Sequence, residues 1–282
     1  MINTIQAIVL GLTQGLTEYI PISSSTHLIL LPKIFGWNFE LKNKLLFNVF
    51  IQTGTMCGLV YYYRHNLHDI ILEFFNEISK NSFTNQKINT TGWLIIFATV
   101  PTGFIGFFFK KRILKITELT NIYTIIAACL CLTSLMLFIA VFYSKKNKRL
   151  KKNKLLTIGD AVIIGFIQAF SLIPGISRLG STISAGIFLG LQQEIAIKFS
   201  FLISIPIALG ASVAELIQIM IVLEKSYFLK IWQSLFIGWL VAAFSGYMVV
   251  DFFINFLKRN SLVWFAVYCA LLGILIFLYM AR

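Results

Sequence analysis

The chain has 282 residues, of which 58% are hydrophobic and 12% are charged. Soluble domains carry about 25% charged residues, so this chain has too few to cover a soluble surface, and we expect an integral membrane protein. The net charge of +13 does not indicate a nucleic-acid partner, because seven of the cations lie between Lys145 and Lys154, as in loops that face anionic lipid headgroups.

Six apolar stretches approach or exceed the roughly 20 helical residues that cross a bilayer. They are residues 45–63, 92–109, 119–143, 199–223, 231–250 and 260–281. Two further apolar regions, residues 1–32 and 155–190, are each interrupted midway by a proline, serines and an ionisable residue. Polar backbone at membrane depth must be covered by protein or line a cavity. We therefore predict that each of these regions is a re-entrant helix pair, which enters and leaves on one side.

The two interrupted regions resemble each other in sequence. Residues 7–14 read AIVLGLTQ and residues 161–168 read AVIIGFIQ, so alanine, glycine and glutamine recur at an offset of 154. We predict a duplication within a single membrane domain, with halves 1–143 and 155–282 joined by the basic loop 144–154. Each half would hold one re-entrant pair and three spanning helices. Because three is odd, the halves would have opposite orientations in the bilayer, which is an inverted-topology repeat.

The predicted fold is thus an all-α polytopic membrane protein with six spanning helices and two re-entrant helix pairs. Short basic loops favour the cytoplasmic side of a membrane. Placing the loop 144–154 there puts both termini, and the mouth of the first re-entrant pair, outside.

Ionisable side chains inside membrane segments cost about 2.5–3.5 kcal/mol each on insertion scales, so they are functional candidates. Here they lie in the two breaks. Residues 14–27 read QGLTEYIPISSSTH, with Glu18 and His27, and residues 174–182 read PGISRLGST, with Arg178. If the halves face each other, a carboxylate, hydroxyls and an imidazole meet a guanidinium, which is a set of groups suited to phosphoryl chemistry.

Each of these groups has a role in such chemistry. The guanidinium of Arg178 offers paired donors to phosphate oxygens, and Gly175 lets the backbone approach a ligand. The carboxylate of Glu18 can hold a divalent cation or orient a nucleophile. The imidazole of His27 can act as a base towards Ser24 or towards water.

At these residues the chain resembles the undecaprenyl-diphosphate phosphatase (bacitracin-resistance) family of bacterial inner-membrane proteins. The matching motifs are Q/E-x-x-x-E at Gln14–Glu18, P-x-S-S-S/T-x-H at Pro21–His27, FxxxIQxG at Phe47–Gly54, PGxSR at Pro174–Arg178 and FSFLxxxP at Phe199–Pro206. The resemblance implies hydrolysis of undecaprenyl diphosphate to undecaprenyl phosphate for peptidoglycan synthesis. It also implies bacitracin resistance, a divalent cation (magnesium or calcium) and an active site open towards the periplasm.

The resemblance and the chemistry of the residues together indicate the site. The expected catalytic residues are Glu18, Ser24, His27 and Arg178, with Glu18 also as the metal ligand. The expected substrate-binding residues are Gln14, Ser23, Ser25, Gly175, Ser177 and Thr182. The chain departs from the family pattern at Gln14, where glutamate is frequent, at Leu179, where serine usually follows the arginine, and at Thr26, where glycine is common. The first departure removes one charged metal ligand.

Alternatives remain at the level of residue and of function. Gln14 and Gln168 could hydrogen-bond across packed helices, and Ser23, Ser25 and Ser177 could cap backbone at the breaks.

A rival function is a polyprenyl-phosphate flippase or an anion transporter, because inverted repeats with broken helices are typical of transporters. The serine and histidine favour the phosphatase, since a carrier needs no nucleophile. Assembly as a homodimer stays open, as does the choice between serine and water as nucleophile.

Overall fold

The computed structural model describes residues 2–79, 91–117, 121–146, 154–222 and 225–280. Within these ranges the chain forms eleven α-helices and no strand. The helices are α1 (Thr4–Glu18), α2 (Ser24–Ile34), α3 (Leu41–Tyr62), α4 (Arg64–Ser79), α5 (Thr91–Thr117), α6 (Ile122–Lys146), α7 (Ile158–Ala169), α8 (Arg178–Phe188), α9 (Gln193–Val222), α10 (Lys225–Arg259) and α11 (Val263–Met280). Most of the basic loop predicted at 144–154 lies outside the described residues.

Five helices of the described residues are long and apolar enough to cross a membrane. They are Leu41–Tyr62, Thr91–Phe109, Ile122–Lys146, Gln193–Ile219 and Tyr227–Arg259. These helices coincide with five of the six predicted spans, so the chain is an all-helical polytopic membrane protein. The sixth predicted span, residues 260–281, contains α11. That helix is apolar but has 18 residues, about 27 Å, which is slightly less than the ~30 Å hydrocarbon core.

Both interrupted regions form two short helices separated by a break, as predicted. The helices α1 and α2 have 15 and 11 residues, and α7 and α8 have 12 and 11. At 1.5 Å per residue, these helices are about 16–23 Å long, so none of them crosses a bilayer alone. The connection between α1 and α2 contains Pro21. The connection between α7 and α8 passes through a 3-10 turn, Phe170–Leu172, before Pro174.

Each of the two pairs begins with a capping box, which satisfies backbone N–H groups at the start of a helix. In α1 the box is formed by Asn3 and Gln6, and in α7 by Thr157 and Asp160. Asp160 is only 7% exposed, and Lys154 Nζ lies 2.9 Å from its Oδ1. Lys154 also donates to the carbonyl oxygen of Leu189 at the end of α8. One lysine therefore links the beginning of α7 to the end of α8.

The helix α4, Arg64–Ser79, was not predicted from the sequence. It follows directly after α3, and large hydrophobic side chains such as Ile71 and Phe75 are more than half exposed. Phe74 packs against Trp93 at the start of α5, with ring centroids 5.0 Å apart. Because this helix mixes charged and apolar residues, hydropathy alone does not distinguish it from a loop.

The chain divides into two compact units by contact. The first unit is Met1–Tyr62 with Ile205–Asn260, and the second is Tyr63–Ser204 with Ser261–Arg282. The boundary inside α9 falls next to Pro206. Each unit combines helices from both predicted repeats, so the repeats are not separate packing units, and the duplication itself stays a prediction.

In the first unit, the helices α1, α3 and α10 pack closely at glycines. A Cβ atom on Gly11 would lie 2.7 Å from the carbonyl oxygen of Gly238, and one on Gly54 would lie 2.4 Å from that of Trp239. Small residues at such contacts let membrane helices approach each other. The surrounding core includes Leu46, Phe47, Ile51, Leu235 and Ala242.

In the second unit, α7 packs against α5, and α6 packs against α8 and α11. A Cβ atom on Gly165 would lie 2.1 Å from the carbonyl oxygen of Ala98, so only glycine fits this contact. Thr102 Oγ1 donates to the Gly165 carbonyl at 2.7 Å, and Gln168 Nε2 donates to Thr102 Oγ1 at 3.2 Å. Gln168 therefore makes an inter-helix hydrogen bond of the kind considered for it from the sequence.

Candidate active site

The first break brings three predicted site residues into one hydrogen-bonded group. Glu18 is the last residue of α1, and Ser24 is the first residue of α2. Ser24 Oγ donates to Glu18 Oε2 at 2.5 Å, and Gln14 Nε2 donates to the same oxygen at 3.0 Å. The shorter distance is typical of a hydroxyl bonded to a carboxylate. The proton of the Ser24 hydroxyl is therefore already directed at an acceptor that can remove it.

Ser23 determines the shape of the first break. Its φ of +67° lies in the left-handed region, and it is the only non-glycine residue with positive φ among those described. Such a conformation costs about 1–3 kcal/mol and persists only where the surroundings hold it. Ser23 Oγ lies 3.1 Å from Thr26 Oγ1 and 3.3 Å from Ser25 Oγ. The hydroxyl of Thr26 thus takes part in holding the turn.

The imidazole of His27 is oriented by the same turn. His27 Nδ1 lies 2.8 Å from the carbonyl oxygen of Ser23. A carbonyl oxygen can only accept, so Nδ1 carries a proton, and in the neutral ring the lone pair is on Nε2. An imidazole held in this tautomer can accept a proton at Nε2 or, when protonated, donate from Nε2 to a phosphate oxygen.

The start of α2 provides further donors. Ser23 is the N-cap residue, and its side chain makes no capping hydrogen bond to the first turn. The first backbone N–H groups of a helix have no partner within the helix, and the helix dipole favours an anion beside them. Together with the hydroxyls of Ser24 and Ser25, this turn is suited to binding phosphate oxygens.

The second break is fixed by contacts with α6. Gly175 has a φ of +101°, and a Cβ atom there would lie 2.6 Å from the Cβ of Cys129 and 2.8 Å from the Ile126 carbonyl oxygen. Thr133 Oγ1 accepts a hydrogen bond from the backbone N–H of Ser177 at 3.1 Å and donates to the Gly175 carbonyl at 3.4 Å. The structure thus gives Gly175 a reason to be glycine that does not require a ligand.

Thr133 supports the second break and was not predicted from the sequence. It lies in α6, 44 positions before Ser177, and it is 1% exposed. The only available signal was a hydroxyl inside an otherwise apolar span, and most such hydroxyls bond to their own helix. Its role depends on a contact between distant parts of the chain.

Arg178 begins α8 and is half-buried. Ser177 caps this helix, because its Oγ accepts from the backbone N–H of Gly180 at 3.1 Å. The hydroxyls of Ser181 and Thr182 both donate to the Arg178 carbonyl at 2.9 Å. Ser177 therefore has the capping role that was considered for it, and Thr182 bonds its own helix through its proton. The guanidinium of Arg178 is thus carried on a helix start that several hydrogen bonds hold in place.

The residues around Glu18 are compatible with a divalent cation bound together with phosphate. No group of three or more His, Cys, Asp or Glu side chains that could hold a metal occurs in the part of the chain that the structure describes. Glu18 contributes one carboxylate, and neutral oxygens come from the neighbouring hydroxyls and from Gln14. Magnesium in phosphate-transfer sites often binds one or two carboxylates and completes its shell with substrate oxygens and water. This donor set fits such a site and does not fit a cage built from protein ligands alone.

Comparison with known proteins gives matches along nearly the whole chain. The profile of the family described as "Bacitracin resistance protein BacA" matches residues 7–275. The "Undecaprenyl-diphosphatase 1" of Shouchella clausii is 35% identical over 280 residues, which are 98% of this chain and 96% of that protein. The "Undecaprenyl-diphosphatase" of Carboxydothermus hydrogenoformans is 38% identical over 278 residues, 97% of this chain and 96% of that protein. The protein of the same name from Campylobacter curvus is 35% identical over 272 residues, with 96% and 97% covered.

Proposed function

The chain belongs to the bacitracin resistance protein BacA family, and on this premise we propose that it is an undecaprenyl-diphosphate phosphatase of the bacterial cell membrane. It hydrolyses undecaprenyl diphosphate to undecaprenyl phosphate and inorganic phosphate, which recycles the lipid carrier for peptidoglycan synthesis and confers bacitracin resistance. Relatives named for this activity match it along nearly their full lengths. The observation in the structure that supports the proposal most directly is the 2.5 Å hydrogen bond from Ser24 to Glu18.

The mechanism follows from that hydrogen bond. Glu18 removes the proton of the Ser24 hydroxyl as Ser24 Oγ attacks the terminal phosphorus. A bond forms between Ser24 Oγ and phosphorus while the bond to the bridging oxygen breaks, and undecaprenyl phosphate leaves. Water then hydrolyses the phosphoserine and releases inorganic phosphate, with His27 positioned as acid or base. A water molecule activated by Glu18 is the alternative nucleophile, and the Ser24→Ala variant distinguishes it from the serine.

Arg178 and the first turns of α2 and α8 bind the diphosphate in this proposal. The guanidinium neutralises charge on the transferred group, and charge neutralisation with positioning is most of what phosphoryl transfer needs. The two breaks would act on one diphosphate if they face each other, as the predicted inverted repeat implies. The corresponding glycines Gly11 and Gly165 support that repeat, since each packs on a carbonyl oxygen of a neighbouring helix.

Glu18 would hold a divalent cation, magnesium or calcium, at this site together with the substrate. Such a cation would supply positive charge that lowers the barrier to attack on phosphorus. In this chain Gln14 takes the place of a second carboxylate, so the protein itself provides only one negative ligand. The substrate phosphates provide the others.

The proposed membrane arrangement has α1–α2 and α7–α8 as re-entrant pairs in an inverted-topology repeat with six spans. The basic loop 144–154 lies in the cytoplasm, and the active site faces the outside of the inner membrane. The lengths of the short helices support this arrangement, because none of them reaches across a bilayer. A homodimer remains a prediction.

The direct test measures phosphate release from a long-chain polyprenyl diphosphate by purified protein in detergent, with and without a chelator. We expect Glu18→Gln, Ser24→Ala and Arg178→Ala each to lower turnover by at least about a hundredfold, because each removes a proton acceptor, the nucleophile or a charge partner. Glu194→Gln is the matched control. It removes an exposed carboxylate at the start of α9 and should leave turnover unchanged.

Three outcomes would change the proposal. Near-normal turnover in folded Glu18→Gln or Arg178→Ala protein would overturn the site assignment. Lipid binding by the wild-type protein without phosphate release would favour the flippase. Retained turnover in Ser24→Ala, with loss in Glu18→Gln, would assign the attack to water.

A further inference from the structure

The second unit contains an apolar groove of about 280 Å³ that the proposed reaction does not use. Its walls come from the first turns of α5, the segment before α7 and the first half of α9. The apolar lining residues are Leu94, Leu155, Leu156, Ile195, Phe199 and Leu202. Thr91 and Lys198 contribute the polar groups. The groove volume lies just below the usual range for sites that enclose a whole small molecule. It is therefore suited to part of a longer apolar chain.

Lys198 is the single charged residue in the groove lining. Among the described residues it makes no hydrogen bond or ion pair, although Glu194 lies one turn before it on α9. The groove has no acidic residue to neutralise this ammonium group. A ligand with an anionic head and an apolar tail is complementary to both parts of the groove.

The position of the groove relative to the spans indicates a lipid headgroup. Thr91 is the first residue of one candidate span, and Lys198 lies within the first two turns of another that begins at Gln193. The ends of spans lie at the level where phospholipid headgroups meet the hydrocarbon core. The ammonium of Lys198 is thus at the depth of the phosphates, and the apolar walls continue along α5 and α9 towards the hydrocarbon.

The groove is separate from the second break of the candidate active site. Leu155 and Leu156 lie just before α7, whereas Ser177 and Arg178 follow the break after it. The 12 residues of α7 span about 18 Å. A diphosphate bound at Arg178 would therefore not have its phosphates beside Lys198, and the groove is not where the substrate reacts.

We propose that this groove binds an anionic glycerophospholipid, with its phosphate beside Lys198 and one acyl chain along Leu94, Phe199 and Leu202. A zwitterionic phospholipid fits the apolar walls equally well but brings a cationic group to the same place. Inorganic phosphate matches only the ammonium group and leaves the apolar lining exposed.

Native mass spectrometry of the full chain in detergent tests the proposal. The protein is titrated with phosphatidylglycerol and, separately, with phosphatidylcholine of the same acyl chains. We expect the first phosphatidylglycerol molecule to bind more tightly than the first phosphatidylcholine molecule. In Lys198→Gln the affinity for that phosphatidylglycerol should fall by about fivefold. Lys198→Arg should retain the preference. Lys230→Gln removes an exposed lysine from α10 and is the matched control, with no expected change.

Two results would overturn the proposal. One is equal affinity of the wild-type protein for the two phospholipids. The other is an equal effect of Lys198→Gln and Lys230→Gln on the affinity for the first phosphatidylglycerol molecule. Phosphate release is measured in parallel, and normal turnover in Lys198→Gln shows that the variant is folded and that the lipid site is distinct from the reaction. If Lys198→Gln does not fold, Ile195→Ser provides the second variant, and it should weaken the binding of both lipids by removing apolar lining.

Discussion

Glu18 Oε2 accepts two hydrogen bonds, one from the hydroxyl of Ser24 and one from the amide of Gln14. Both donors bond to the same oxygen, so they fix which carboxylate oxygen faces the serine. A glutamate at this position would replace the amide donor with a second carboxylate. Gln14 therefore orients Glu18 with a neutral group. From the sequence, a glutamine at this position predicted only the loss of a charged metal ligand.

Gln14→Glu is expected to make activity depend more strongly on the divalent cation. The new carboxylate would lie about 3 Å from Glu18, and two carboxylates at that distance do not both ionise without a cation between them. Phosphate release is measured against free magnesium for the wild type and the variant. We expect the variant to reach half-maximal activity at a lower magnesium concentration, because it offers a second charged ligand, and to lose more activity on chelation. Equal magnesium dependence would show that Glu18 does not act beside the cation.

At the scale of helices, the close contacts are made by glycines that face backbone rather than side chains. Gly165 on α7 packs against the Ala98 carbonyl on α5, and a Cβ atom would lie 2.1 Å from that oxygen. A backbone oxygen cannot move aside as the end of a flexible side chain can. The separation of α5 and α7, and with it the position of the second break, is therefore set at this contact.

Gly165→Ala is expected to lower the free energy of unfolding by about 1–3 kcal/mol, because the added methyl forces the two helices apart. The matched control is Gly103→Ala on α5, where an added Cβ meets nothing within 4 Å. There alanine should be neutral or stabilising by up to about 1 kcal/mol, since it favours the helix. Thermal unfolding in detergent compares the two variants. Similar melting temperatures would contradict the proposed contact.

At the scale of the whole molecule, helix pairing supports the predicted duplication. Within the first unit α1 packs against α10, and within the second α7 packs against α5. In the predicted duplication α1 would correspond to α7 and α5 to α10, which would make these two pairings equivalent. Each joins the first short helix of one half to a spanning helix of the other half. Such an exchange would account for compact units that differ from the predicted repeats.

The inverted repeat makes a prediction about sidedness. Single cysteines at Thr4 and Ile34 flank the first helix pair, and single cysteines at Leu155 and Glu194 flank the second. In a background without native cysteines, a membrane-impermeant thiol reagent should label the first two from outside the cell and the last two only from the cytoplasmic side. Labelling of Leu155→Cys and Glu194→Cys from different sides would show that α7 and α8 cross the membrane.

Features that depend on local chemistry could be predicted from the amino-acid sequence. Apolar runs predicted five of the spans, and proline with serines predicted the interruption in each helix pair, because these signals act within a few residues. The motif residues Glu18 and Ser24 were also identifiable, since six positions separate them and the break folds them together. The amphipathic helix α4 was missed, because its mixed composition gives no hydropathy signal.

The way the breaks are held, and the side chains that meet there, depend on contacts between distant parts of the chain. Ser23 is in the left-handed region because the hydroxyl of Thr26 and the ring of His27 bond to it there. Thr133 reaches Ser177 across 44 residues, and Gly165 meets the carbonyl of Ala98. Such contacts depend on helices that are distant in the chain and adjacent in space. Hydropathy and spacing describe each helix separately, so they carry no information on which helix will be its neighbour.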